Sequence, residues 1–186
     1  MIKLKKIKLA AKRHHKNAVV KYAIVDDEDD EDYEELIKYD WSCSKNGYAQ
    51  RRFEKEKGKF STYPMHRQIL GLTFGDKSCV DHINGNKLDN RKSNLRICSR
   101  TQNNHNIGLS KRNKSGVKGV SRHCDKYKLK NGTTVVKECW YAKICVNKKD
   151  ISLGLFPYTD EGLEQAKIAY NDAAIQHYGP FAYINP

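Results

Sequence analysis

Residues 80–96 read Val80-Asp81-His82-Ile83-Asn84-Gly85-Asn86-Lys87-Leu88-Asp89-Asn90-Arg91-Lys92-Ser93-Asn94-Leu95-Arg96, and the chain continues to Gln102-Asn103-Asn104. Asp81 next to His82 supplies a ligand for a hard cation and a general base within one residue. The Asn- and Gly-rich segment after them must turn sharply, because Asn and Gly tolerate positive φ, which places the pair at the end of a strand. Leu95 and Ile97 suit a short return strand, and Ser99 can cap a helix from Arg100 to about residue 106. The expected unit is strand, loop, strand, helix. A helix packed across that hairpin brings Asn103 toward Asp81, where one carboxylate and one amide oxygen can hold Mg²⁺ or Mn²⁺ loosely. His82 can then take a proton from the attacking water while Asn94 fixes the imidazole through its other nitrogen.

The pattern D-H-x-x-G-N-x-x-D-N-x-x-x-N-L-R, with Asn103 nine residues beyond Asn94, resembles the HNH endonucleases of phages and mobile introns, built on a ββα-metal finger. The resemblance implies His82 as general base, Asn94 as its orienting residue, and Asp81 with Asn103 as ligands of one Mg²⁺ or Mn²⁺. Asn103 stands where the family name expects a second histidine, and His105 lies two residues on, so the second ligand is open between them. In the resembling proteins a segment like Met65-His66-Arg67 precedes the finger. His66 would be catalytic and Arg67 would touch DNA at the scissile phosphate, against the plainer reading of a packed histidine. Asn-Gly-Asn and Asp-His are each common in loops, and it is their joint spacing that points to a site.

Composition fits a polyanion partner. The 186 residues carry 35 Lys and Arg against 22 Asp and Glu, a net charge of +13 with pI about 9.4. Nine of the acidic residues fall between positions 26 and 35, so the rest of the chain is more basic still. Mean hydropathy is −0.82 with no long apolar run and no signal-like segment, so a membrane span is excluded and a cytoplasmic protein is expected. The six cysteines form no C-x-x-C pair, which suits reduced thiols and no structural zinc.

Toward the N-terminus, Lys3, Lys5, Lys6, Lys8, Lys12, Arg13 and Lys16 suit a basic arm on phosphates or a solvated terminus. A strand is expected over 18–25, and an acidic first helical turn over 26–35. A hairpin turns at Lys45-Asn46-Gly47, a second at Lys57-Gly58-Lys59, and a short helix runs from Pro64 to Leu70, closed by Gly71. Residues 107–115 read as a linker between an endonuclease domain over 1–106 and a second domain over 116–186.

The second domain reads as three strands, near 117–123, 137–146 and 150–156, followed by a helix capped by Thr159 with Leu163, Ala166, Tyr170, Ala173 and His177 on one stripe. Its residues Ser115-Gly116-Val117-Lys118-Gly119-Val120, Trp140-Tyr141-Ala142-Lys143-Ile144, Leu153-Gly154-Leu155-Phe156 and Ala169-Tyr170-Asn171-Asp172-Ala173-Ala174 resemble the APETALA-type domain of plant ethylene-response factors. Such domains lay a three-stranded sheet in the DNA major groove. The resemblance implies that Lys118, Ser121, His123, Lys143, Cys145, Asp150 and Ser152 face DNA, with Trp140 in the core. Ser121 and Ser152 stand where the family often has Arg and Trp, which shifts weight from base readout to phosphate contacts by Lys143, Lys148 and Arg122.

The fold class expected is therefore α+β, with strands and a helix leading into the finger and then a three-stranded antiparallel sheet on one helix. The function expected is a divalent-metal-dependent DNA endonuclease, of homing type, acting on double-stranded DNA and monomeric. The alternative is a catalytically inactive, sequence-specific DNA-binding protein.

Overall fold

The computed structural model describes residues 4–10, 20–26 and 31–186. The basic stretch through 11–17 and the acidic residues 27–30 lie outside the described residues. The fold is α+β, as expected: several small antiparallel sheets with few helices. The chain divides into two compact units, Met1–Asn103 and Asn104–Pro186. Among the described residues no helix is long and apolar enough to cross a membrane.

In the first unit, strands β1 (Leu4–Leu9) and β2 (Lys21–Asp26) pair antiparallel, and α1 (Glu31–Leu36) follows. Alternation along β1 and β2 buries Ile7, Leu9, Ala23 and Val25 on one face. These pack with Leu36, Trp41, Ala49 and Met65 into one core. The Trp41 indole, 1% exposed, donates Nε1–H to the Leu36 carbonyl at 2.7 Å, so its polar edge is satisfied.

Strands β3 (Trp41–Cys43), β4 (Ala49–Glu56) and β5 (Lys59–Pro64) form a meander whose turns fall at the two sequence signals, with Cys43 opposite Ala49 and Glu56 opposite Lys59. Helix α2 (Met65–Ile69) follows directly. The finger then comprises β6 (Cys79–His82), β7 (Leu95–Cys98) and α3 (Arg100–His105). Ser99 starts α3 with a reciprocal pair: Gln102 N–H donates to Ser99 Oγ at 3.1 Å, and Ser99 N–H donates to Gln102 Oε1 at 2.8 Å. Two otherwise unsatisfied donors at the helix start are thereby paired.

The second unit is a sheet in the order β10-β9-β8, from β8 (Val120–Lys128), β9 (Thr134–Val146) and β10 (Lys149–Pro157), backed by α4 (Asp160–Tyr178). Thr159 caps α4, its Oγ1 accepting from Gly162 N–H at 3.1 Å. Ala166, Tyr170, Ala173 and Ala174 are buried against Val117, Val120, Ala142 and Ile144, whereas His177 is exposed, one position off the stripe that Ala174 completes. Gly119 sits at φ 81°, and a side chain there would collide with the Tyr170 ring and the Lys143 carbonyl. The small residues of α4 and Gly119 are what let helix and sheet approach closely.

Candidate active site

Antiparallel pairing of β6 with β7 sets Asp81 opposite Arg96 and His82 opposite Leu95. Asp81 and His82 close the strand and are buried, at 4% and 5% exposure. The carboxylate of Asp81 is met from across the sheet by Arg96, whose Nε and Nη2 lie 2.8 and 2.5 Å from Asp81 Oδ2. A buried carboxylate needs such compensation, and the register of the hairpin delivers it.

The loop between the strands is a network of side-chain amides. Asn94 Nδ2 donates to Asn84 Oδ1 at 3.0 Å and to the Asp89 carbonyl at 2.8 Å, while Asn94 Oδ1 accepts from Asn84 N–H at 3.0 Å. Asn84 Nδ2 donates to Asp89 Oδ2 at 2.8 Å. Asp89, 2% exposed, is gripped by Arg91 through Nε at 2.7 Å and Nη2 at 2.6 Å, which holds its carboxyl below the usual aspartate range. The loop also docks on β2: Ile24 N–H donates to the Leu88 carbonyl, Asn90 N–H to the Ile24 carbonyl, and Lys92 N–H to Asp26 Oδ2. These bonds hold the loop after His82 in one shape.

Around His82 the structure gathers Asn90, His66 and Tyr48. Asn90 Oδ1 lies 3.4 Å from His82 Nε2, and Asn90 is itself 1% exposed. His66 on α2 meets the His82 ring edge-on at 5.2 Å, and Tyr48 stands 5.8 Å from His82 and 5.2 Å from His66. Burial lowers the pKa of His82, opposed by the Asn90 hydrogen bond and the charges of Asp81 and Asp89. Burial, with His82 and Arg67 adding to it, lowers His66 to about 3. Both rings are therefore neutral at neutral pH. Two buried atoms here, His66 Nδ1 and Asn90 Nδ2, have no hydrogen-bond partner among the described residues.

Asn103 lies on α3, where its N–H closes the first turn on Ser99. Both Asp81 and Asn103 border the Cys98 thiol, whose pKa burial raises, the Asp81 charge adding to the rise and the Asn103 backbone N–H opposing it. A carboxylate and an amide oxygen are the donor types that suit a hard divalent cation. Arg67 donates to the Ser78, Thr73 and Asp76 carbonyls, which folds the segment after α2. Within the second unit the His105 ring is stacked on Tyr178 at 3.8 Å.

The residues read as DNA-facing divide by strand parity. Ser121 pairs with Tyr141, His123 with Cys139 and Ser152 with Lys143, so Ser121, His123, Lys143 and Ser152 share the face opposite α4. Lys143 pairs with Asp150 at 2.6 Å and His123 with Asp125 at 3.0 Å. Lys148 sits at φ 65° in the exposed β9–β10 turn. Arg122 opposes Trp140 and falls on the other face, ion-paired with Glu138. Lys118 points inward, donating to the His105 and Ile107 carbonyls at 2.8 and 2.6 Å, and burial lowers its pKa to about 8.

Sequence reasoning missed Asn90, Arg96 and Tyr48. Arg96 was signalled by its position: a short hairpin whose second strand starts at Leu95 sets Arg96 against Asp81. Nothing local pointed to Asn90 and Tyr48, which reach His82 through the docking of the loop on β2 and the position of β4.

Residues 63–105 match the model of the HNH endonuclease family. Over 104 residues the chain is 38% identical to an uncharacterized HNH endonuclease of Acanthamoeba polyphaga mimivirus, covering 53% of this chain and 52% of that protein. The chain thus spans about half the length of that relative. No solved structure matches. The matched segment runs from the end of β5 through α3.

Proposed function

We propose that the protein is a divalent-metal-dependent DNA endonuclease that hydrolyses phosphodiester bonds with His82 as general base, acting in the cytosol on double-stranded DNA docked by the second unit. The observation that carries this reading is the buried His82 at the strand end, one residue from the Asp81 carboxylate, inside the segment that matches the HNH family.

A neutral imidazole can accept the proton of an attacking water. Asn90 Oδ1 beside Nε2 would fix the plane of the ring. Asn94 acts as a positioning residue, through the Asn84 and Asp89 bonds that shape the loop after His82. His66, neutral and with Nδ1 unpartnered, offers a donor or acceptor to the phosphate beside His82. Asp81 and Asn103 would hold Mg²⁺ or Mn²⁺, which when bound stabilises charge developing on the phosphate and leaving oxygen. Arg96 pairs with the Asp81 carboxylate and would have to share it with any cation that Asp81 holds. His105, held against Tyr178, supports Asn103 as the second ligand. The outward face of the second unit, with Ser121, His123, Lys143 and Ser152, and the turn at Lys148 would lie on the duplex, Lys143 and Lys148 on phosphates. Lys118 would serve that docking through the segment it holds, Arg122 lies on the other face of the sheet, and Arg67 in the first unit holds the segment after α2.

A second reading, a catalytically inactive DNA-binding protein, is favoured by one observation: Arg96 makes two hydrogen bonds to Asp81 Oδ2, on the carboxylate that a cation would need. Supercoiled plasmid separates the two. The endonuclease reading expects nicked or linear product with Mg²⁺ or Mn²⁺ and none with EDTA. Salt-sensitive binding with no cutting under any divalent cation would contradict it and leave the binding protein.

A further inference from the structure

The second unit contains a cleft of about 440 Å³ lined by Arg112, Asn113, Lys114, Arg122, Trp140 and Tyr158, with Ser115, Val120 and Ser121. No acidic residue lines it. It opens at the β8 edge of the sheet, on the side of Trp140 and Arg122, away from the face of Lys143 and Ser152. We infer that this cleft is a binding site for an unpaired nucleotide within a polynucleotide strand, its base against Trp140 and Tyr158 and its phosphates on Arg112, Lys114 and Arg122.

Three observations carry the assignment. The aromatic wall is accessible: Tyr158 is 42% exposed, Trp140 is half-buried, and their rings stand 4.6 Å apart at 40°, forming a tilted pair rather than a closed stack. Trp140 is anchored by its Nε1–H to the Thr159 carbonyl at 3.1 Å, and the Arg122 guanidinium sits 5.4 Å from the Tyr158 ring. A base entering here meets fixed π surfaces with cations alongside, the combination that holds single strands by stacking and charge.

The opposite wall is preformed as well. Asn113 Nδ2 donates to the Val117 carbonyl at 2.8 Å, and Asn113 Oδ1 accepts from Gly116 N–H at 2.8 Å. Ser115 Oγ lies 2.8 Å from the Val120 carbonyl. The segment that bears Arg112 and Lys114 is thereby tied to the start of β8. The cleft volume falls in the roughly 300–1,000 Å³ span of small-ligand sites, room for one nucleotide. A paired base keeps both faces covered by its neighbours in the duplex, so only an unstacked one can use these rings. An acidic peptide would meet the cations but leave the aromatic wall unused.

The test uses the full-length protein in EDTA, so that binding is read without cutting and its failure leaves the endonuclease reading untouched. Tryptophan fluorescence is followed while an eight-residue oligo(dT), the matching oligo(rU), an abasic strand of the same length and a duplex are titrated. Trp41, at 1% exposure, gives the constant background. The inference expects saturable quenching by one or both homopolymers, the tighter one naming the sugar, with affinity reduced about tenfold or more for the abasic strand and for Tyr158→Leu and Arg122→Ala. Equal quenching by the abasic strand or the duplex, unchanged affinity in both variants, or no quenching by either homopolymer would overturn it.

Discussion

Both units bury an apolar core, but they differ in the polar side chains they bury beside it. Among the described residues the buried polar and charged side chains of the first unit are His66, Asp81, His82, Asp89, Asn90 and Asn94, all within the segment that matches the HNH family, while the second unit buries only Asn185. The second unit instead closes on alanines, valines, Ile144 and Tyr170. Burying a polar group costs free energy unless it is hydrogen-bonded, and the first unit meets that cost with a side-chain network.

If that contrast holds, substitutions should fail differently in the two units. The largest effect is expected from Gly119→Ala, which combines positive φ with overlap on Tyr170 and the Lys143 backbone. A cost above about 3 kcal/mol is expected, read as loss of the second unit's cooperative thermal transition. Gly85→Ala, at φ 71° with open space around it, is the matched control and should cost only about 1–2 kcal/mol of backbone strain. Equal costs at both positions would break the close-packing account of the second unit.

Asp89→Asn should come next. It weakens the Arg91 pair and the loop network, at about 2 kcal/mol, read by denaturant titration. The same residue predicts a pH dependence. Its folded pKa is below the ordinary 3.8, so its stabilisation is fully present above that value and is lost as pH falls through it toward the folded pKa. The variant should flatten that acid limb; an unchanged limb would place the acid sensitivity elsewhere. Ser99→Ala, which removes one half of the reciprocal cap on α3, should cost about 1 kcal/mol and leave the second unit unchanged.

Much of the fold was legible because its signals are local. The turn at Lys45-Asn46-Gly47, the return strand from Leu95, the Ser99 cap and the Thr159 cap each rest on residues within a few positions of one another. The site was legible to the extent that Asp81, His82 and Asn94 fall in one hairpin. Asn90 beside His82 was not, because it depends on the loop docking to β2, some sixty residues earlier in the chain. Lys118 and Arg67 read as DNA contacts, and both donate to backbone carbonyls that only the tertiary fold supplies. Arg122 was separable from Ser121 and His123 by strand parity alone, since neighbours in a strand face opposite sides.

The most direct measurement compares wild type with His82→Ala on supercoiled plasmid in Mg²⁺ or Mn²⁺, with thermal unfolding of both proteins recorded alongside. Removing a general base should lower the nicking rate by about 10²–10⁴-fold while the unfolding transition stays cooperative. Undiminished cutting by a folded His82→Ala protein would contradict the account.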